Sequence, residues 1–341
     1  MSVNRTLFSF LLFLTSLLCE AGDYVRLEGA VFHTSYHITY EGTCDYTDSI
    51  EGLFADVDNS LSMFNERSVL ARVNSNDRKV RINDHVRNVM TKGWNVSADT
   101  DGAFDMTVGP LVNLWGFGFR KKKDVTQCMV DSVRRFVGYH SVRLDKHGRV
   151  RKKDRRTVLD ASSIAKGYAC DVVGRWLRSK GVTNYLVEIG GEIALMGVNP
   201  GGKPWTVAVN TPEEDSLSVN RHYQDVLRLT SGGVATSGNY RNFYYKNGIR
   251  YAHTIDPRTG YPASQDVLSA TVVASDCMTA DAYATAFMVL GLERSLAVLE
   301  RHPDIHAYFI LSPLPGSTAY RVVYSPSLRD SLSSLFERTA W

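Results

Sequence analysis

Apolar and polar positions alternate through "YVRLEGAVFHTSYHITYEG", residues 24 to 42, and the β-branched and aromatic content there predicts paired strands. The period then changes. From Thr47 to Met63 the apolar residues Ile50, Leu53, Phe54, Val57 and Leu61 recur at helical spacing. Asn65 to Ser68 reads as a turn with Ser68 as an N-cap, and Val86 to Thr100 as a second amphipathic helix. "DGAFDMTVGPLVNLWGFG" breaks the regularity with Gly102, Gly109, Pro110, Gly116 and Gly118. Val130 to Val137 predicts a helix, and "SVRLDKHGRVRK" a hairpin turning at His147-Gly148.

The second half alternates element types. "RTVLDASSIAKGYACDVVGRWLRSKG" predicts a short strand, a tight loop of small residues, and a helix from Ile164 to Ser179 stopped by Gly181. "NYLVEIGGEIALMGV" gives two strands around Gly190-Gly191, and "WTVAVN" a third. "VLRLTSGGVATSGN" and "RNFYYKNGIRYAHTI" predict further strands, with a hairpin turn at Asn247-Gly248. "VLSATVVAS" is a strand that leads into "TADAYATAF", a helix ending at Gly291, and a last helix and two strands close the chain. No repeat of 20 to 50 residues and no low-complexity linker divides it, so the expectation is a single intertwined α+β unit of mixed and antiparallel sheets with packed helices.

Composition fits that picture. In 341 residues, 44% are hydrophobic and 22% charged, as in a globular protein with an ample core, and a net charge of +3 gives no support for nucleic-acid binding. The basic clusters at Lys121 to Lys123 and Arg151 to Arg156 fall beside turns and read as solvated loops. The N-terminus changes the picture more. One basic residue precedes the apolar run "TLFSFLLFLTSLL", which has the length of a signal-peptide core and is too short for a spanning helix. Cys19 follows directly, where a bacterial lipoprotein carries its lipidated cysteine, although Leu18 stands where a small residue is usual. Residues 1–21 are therefore expected to be a lipoprotein-type signal peptide, cut before Cys19 or after Ala21, and residues 22–341 the working domain. Cys44, Cys128, Cys170 and Cys277 show no CxxC or CxxH pattern, which argues against zinc; free thiols and disulfides both remain open.

Three stretches could carry chemistry. In "DASSIAKGYACD" small residues before a helix leave backbone N–H groups accessible to an anion, and Lys166 adds positive charge. The P-loop spacing is absent, and a tight turn with a surface lysine explains the stretch as well. In "AHTIDPRTGYP" His253 and Asp256 could serve as a base and its orienting partner, or Asp256 could simply start the turn. In "TADAYATAF" Thr279 reads as an N-cap that places Asp281 in the first helical turn, where its charge suits the helix dipole. Alternatively Asp281 and Thr285, one turn apart, present two hard oxygen donors to a cation such as Mg²⁺, to be completed by ligand phosphates.

Taken in order, "FHTSY", "FDMTVGPLVNLWGFG", "DASSIAKGYACD", "YLVEIGGEIALMG", "ATSGNYRNFY", "AHTIDPRTGYP" and "ADAYATAFMVLG" closely resemble the ApbE-type FAD:protein FMN transferases, exported bacterial flavin-attaching enzymes. The resemblance runs from about residue 28 to 295. It implies an ApbE-like, T-fold-related catalytic domain that uses Mg²⁺ to transfer the FMN half of FAD to a Thr or Ser hydroxyl of an acceptor flavoprotein, releasing AMP. It implies metal ligation by Asp281, Thr285 and the backbone carbonyl of Ser163. Flavin-nucleotide contacts would come from Phe32, Ser68, Asp105, Lys166 and the backbone near Ile255, and His253 would activate the acceptor hydroxyl. The aromatic residues Phe243 to Tyr245 and Tyr251 could wall a flavin or adenine ring, or pack in the core. The implied acceptor is a subunit of an exported redox complex, such as a sodium-pumping NADH:quinone reductase, and the implied location is the periplasm, with a lipid anchor to the inner membrane at Cys19. The alternatives are an FAD pyrophosphatase that releases FMN and AMP, and a non-catalytic FAD-binding lipoprotein. Two positions depart from the family pattern: Phe32-His33 stands where Met-Gly is common, and Ala284 where some relatives carry a second Asp, leaving this site one carboxylate fewer.

Overall fold

The computed structural model describes residues 22–118, 124–212, 223–239, 243–246, 249–314, 316–332 and 339–340, with backbone alone for 243–246, 249–251 and 339–340. The expected signal peptide with Cys19, Lys121 to Lys123, the expected Asn247-Gly248 turn and the aromatic side chains of Phe243 to Tyr245 and Tyr251 lie outside the described residues.

β1 (Tyr24–Val31) and β2 (Thr34–Glu41) form the expected hairpin. Its two-residue turn is Phe32-His33, at φ 51° and 61°. Both are left-handed values, which favour glycine and which these two side chains adopt to close the hairpin. α1 (Thr47–Leu61) buries Ile50, Phe54, Val57 and Leu61, the apolar stripe read from the sequence. Ser68 caps α2 (Val69–Asn74), and α3 (Asp84–Asp99) follows. The glycine-rich stretch contains one short helix that punctuation alone concealed, α4 (Gly109–Leu114), with Pro110 at its start, where a missing N–H costs nothing. α5 (Gln127–Arg134) precedes the hairpin of β3 (Val142–Leu144) and β4 (Val150–Lys152).

No strand forms at 156–160, contrary to expectation: the segment is a turn and extended chain, because Asn74 takes both backbone groups of Leu159 in place of a strand partner. α6 (Ala165–Ser179), β5 (Tyr185–Ile189) and β6 (Glu192–Met196) fall where expected. β7 (Trp205–Asn210) pairs with β8 (Tyr223–Leu229), and β9 (Ser231–Gly238) leads toward β10 (Phe243–Lys246) and β11 (Ile249–Ala252), which pair antiparallel as a hairpin requires. β12 (Val267–Ala274) enters α7 (Cys277–Leu290), followed by α8 (Leu292–Leu299), β13 (His306–Leu311), β14 (Arg321–Tyr324) and the short β15 (Thr339–Ala340).

Among the described residues nine strands make one sheet in the order β1-β2-β5-β6-β9-β12-β13-β14-β15, antiparallel except for the last pair. α6 and α7 lie against its middle, and α7 is the central helix of the core: Ala280, Ala282, Ala284, Ala286 and Phe287 are fully buried. A helix buried all round needs small side chains wherever a neighbour crosses closely. The α+β reading holds. Cys44, Cys128, Cys170 and Cys277 are free thiols, the last two buried. Among the described residues no helix is long and apolar enough to cross a membrane.

Candidate active site

The start of α7 differs from the sequence expectation in a way that bears on chemistry. Its N-cap is Asp276, not Thr279: Asp276 Oδ1 accepts the Thr279 N–H at 2.8 Å, and Thr279 Oγ1 donates to the same carboxylate. Asp171, from α6, accepts the N–H groups of Cys277 and Met278 at 2.9 and 2.8 Å. The open donors of the first turn are thus served by two other carboxylates. Asp281 lies a turn deeper, 4% exposed, and helix-end electrostatics no longer account for it.

Asp281 is held by one contact from α6. The Gly167 N–H donates to Asp281 Oδ2 at 3.0 Å. Gly167 stands in the first turn of α6, where an N–H has no acceptor within the helix, and the Asp281 carboxylate satisfies it. Gly167 is required by closeness: a Cβ there would lie 2.4 Å from the Cys277 carbonyl oxygen and 2.8 Å from Asp281 Cβ. Gly167→Ala is expected to cost about 1–3 kcal/mol of stability by prying α6 from α7, measured by denaturant unfolding.

Around Asp281 a cavity of about 410 Å³ gathers residues from distant parts of the chain. Ser163 comes from the turn before α6, Lys166 from its first turn, Thr285 from α7, and Asp105 from the loop before α4. His253 and Ile255 come from the segment after β11. All seven of these residues, counting Asp281, were expected at the site from sequence. Thr285 Oγ1 lies 3.3 Å from Ser237 Oγ, a cavity-lining hydroxyl at the end of β9. His253 packs with its ring centroid 6.4 Å from that of Phe117. Asp256 does not orient it: both Asp256 oxygens bind the Arg258 guanidinium at 2.9 Å and its backbone starts the turn, so the turn reading is the one observed. Asp105 is buried and fully engaged, accepting from Thr107 N, Thr107 Oγ1 and Tyr139 N at 2.7 Å each. Burial nevertheless pushes its carboxyl upward.

Phe32 and Ser68 are placed elsewhere. Phe32 lines a second, largely apolar cavity of about 560 Å³ with His33, Leu61, Met63, Phe64 and Ala161, and this cavity shares Ser162 and Lys166 with the first. Ser68 lines neither. Its hydroxyl is buried, accepting from Ala71 N at 3.0 Å and donating to the Ser62 carbonyl at 2.6 Å, so it supports the wall of the apolar cavity from behind.

The residue that sequence reasoning missed is Glu192, the first residue of β6. It is buried, lines the central cavity, and forms an ion pair with Lys166 Nζ. Burial, and then the nearby Asp281 carboxylate, push Glu192 upward, and the charge and hydrogen bond of Lys166 pull it back. Burial lowers the Lys166 ammonium, but Glu192 and then Asp281 outweigh it and the net shift is upward. Burial likewise raises Asp281 against Lys166 and the Gly167 N–H. Two carboxylates and one ammonium thus share a poorly solvated space, an arrangement in which an added divalent cation removes an electrostatic penalty. Oxygen donors alone and a single carboxylate at the ligand positions suit Mg²⁺ completed by phosphates and water. Among the described residues no group of three or more His, Cys, Asp or Glu side chains could hold a metal ion by itself.

Comparison with known proteins converges on one family. The ApbE family model matches residues 32–309. The FAD:protein FMN transferase of Vibrio cholerae is 38% identical over 308 residues, 86% of this chain and 90% of that protein. Those of Haemophilus influenzae and Escherichia coli K12 are 36% and 33% identical over 302 and 327 residues, covering 84% and 92% of this chain and 86% and 91% of theirs. The solved flavin transferase ApbE from V. cholerae superposes with a TM-score of 0.80 at 34% identity, covering 91% of this chain and 99% of that one. The apo flavinyl transferase ApbE of Pseudomonas stutzeri gives 0.79 at 32%, covering 91% and 96%. With its fold, its cavity residues and its relatives in agreement, the chain is an enzyme and belongs to the ApbE family.

Proposed function

We propose that this enzyme transfers the FMN half of FAD to a Ser or Thr hydroxyl of an acceptor protein, forming a phosphoester and releasing AMP, with Mg²⁺ required. The observation that carries the reading is the meeting of Asp281, Thr285, Ser163, Lys166 and His253 around one cavity that shares Ser162 and Lys166 with an apolar one. A flavin nucleotide has this division: a charged pyrophosphate between flat apolar rings. The names of the relatives support flavin transfer; the metal, the leaving group and the acceptor residue are the further content of the proposal.

Asp281, Thr285 and the Ser163 carbonyl would hold the Mg²⁺, which when bound offsets the charge of the pyrophosphate. Lys166, which lines both cavities, would hold a phosphate oxygen. His253 takes the proton of the incoming acceptor hydroxyl, a task suited to an imidazole, which ordinarily titrates near neutral pH. The hydroxyl oxygen then bonds to the FMN-side phosphorus as the bond to the AMP phosphate breaks. Val108, Val112, Ile255 and Val289 line the same cavity and limit the water that could compete for the phosphorus. Positioning and charge do most of the work of such a transfer, in keeping with a single base.

The protein is further proposed to be exported and lipid-anchored at Cys19, facing acceptor subunits of periplasmic redox complexes. Incubation with FAD and Mg²⁺, followed by chromatography of the nucleotides with and without an acceptor domain, tests the reading. AMP that appears only with the acceptor supports transfer. AMP and free FMN in equal amounts without acceptor would point to a pyrophosphatase, and FAD retained intact in both cases to a flavin-storage protein.

A further inference from the structure

Glu192 enters the site by a route that leaves it little freedom. The Gly190-Gly191 turn, with φ 60° and 101°, delivers it directly from β5 into β6. Its own carbonyl accepts from the Cys170 thiol at 3.2 Å, pinning the start of β6 to α6. Its carboxylate then meets the Lys166 ammonium. Lys166 directly precedes Gly167, whose N–H binds Asp281, and its ammonium pairs with Glu192 in the cavity that Asp281 also lines, within reach of the charge of both carboxylates. If it swung to Asp281, it would occupy the one buried carboxylate that a divalent cation needs. The ion pair present instead is with Glu192.

We propose that Glu192 is a positioning residue that acts through Lys166, holding its ammonium off Asp281 so that this carboxylate stays open to a divalent cation, and aiming it at the junction of the two cavities. The inference rests on the reading of the cavity as a Mg²⁺ and flavin-nucleotide site. Residues that orient metal ligands from behind typically change metal affinity by about 10- to 100-fold when replaced.

The test is FAD affinity, followed by quenching of flavin fluorescence without acceptor, across a Mg²⁺ series in the wild type, Glu192→Gln, Lys166→Met and the double variant. Mg²⁺ that strengthens FAD binding must do so with a midpoint that reports its own affinity. Glu192→Gln is expected to raise that midpoint by about tenfold, because the released ammonium turns to Asp281. Lys166→Met is expected to leave the midpoint equal or lower while weakening FAD binding at saturating Mg²⁺, and in that background Glu192→Gln should add no further rise. An unchanged midpoint in Glu192→Gln overturns the proposal. So does an equal rise in both backgrounds, which would mean that the carboxylate acts on the cation directly, and so does a raised midpoint in Lys166→Met, which remains readable if Glu192→Gln fails to fold. If the wild type shows no Mg²⁺-linked FAD binding at all, the functional reading fails instead.

Discussion

Asp281→Asn is expected to lower Mg²⁺-dependent turnover of FAD by roughly 10²- to 10³-fold, because it removes the single carboxylate at the ligand positions while keeping the side chain's size. The amide oxygen can still accept the Gly167 N–H, so α6 and α7 should stay docked. The change also separates function from stability. Burial raises the Asp281 carboxyl above its unfolded value, so the folded state holds the proton more tightly than the unfolded one. That contribution is fully present below the unfolded carboxylate range and is lost as pH rises through the higher folded value. The metal-free wild type should therefore lose melting temperature relative to Asp281→Asn as pH increases from about 4. A variant that is less active yet relatively more stable at neutral pH is the mark of a carboxylate kept for a ligand rather than for the fold.

His253→Ala should leave FAD binding within a few-fold of wild type and lower the rate of transfer by about 10²- to 10⁴-fold. His253 lines the cavity from the segment after β11, whereas Asp281, Thr285 and Lys166 belong to α6 and α7, so its loss should leave the proposed cation donors in place. Rates of acceptor modification at saturating FAD and Mg²⁺ separate the acceptor step from binding. Loss of FAD affinity in parallel with rate would assign His253 to binding and remove it from the acceptor step.

The parts of this architecture that were legible in the sequence are those set by local physics. The alternation of Tyr24 to Gly42 became β1 and β2, the Ser68 hydroxyl capped α2, and Gly190-Gly191 took left-handed values in a turn. The resemblance named Asp105, Ser163, Lys166, His253, Ile255, Asp281 and Thr285 from separate motifs, and the fold gathers these seven around one cavity. What escaped notice was tertiary. Thr279 looked like an N-cap because Thr commonly is one; the true cap is Asp276, and Asp171, from α6, supplies the remaining acceptors. Glu192 looked like an ordinary strand residue; its partner Lys166 lies 26 positions away, and only burial makes the pair consequential. Ser68, carried over as a nucleotide contact, is spent on the helix cap that its own local sequence predicts. The strand expected at 156–160 lacked a partner because Asn74 claimed the Leu159 backbone first.

The measurement that bears most directly on the central claim is the intact mass of an acceptor flavoprotein domain after incubation with this enzyme, FAD and Mg²⁺, compared with the same domain carrying Ala in place of its acceptor Thr or Ser. The account predicts that the unaltered domain gains one FMN, with one AMP released for each, and that the Ala domain and an incubation containing Asp281→Asn gain none. Free FMN and AMP with no change in acceptor mass would contradict it.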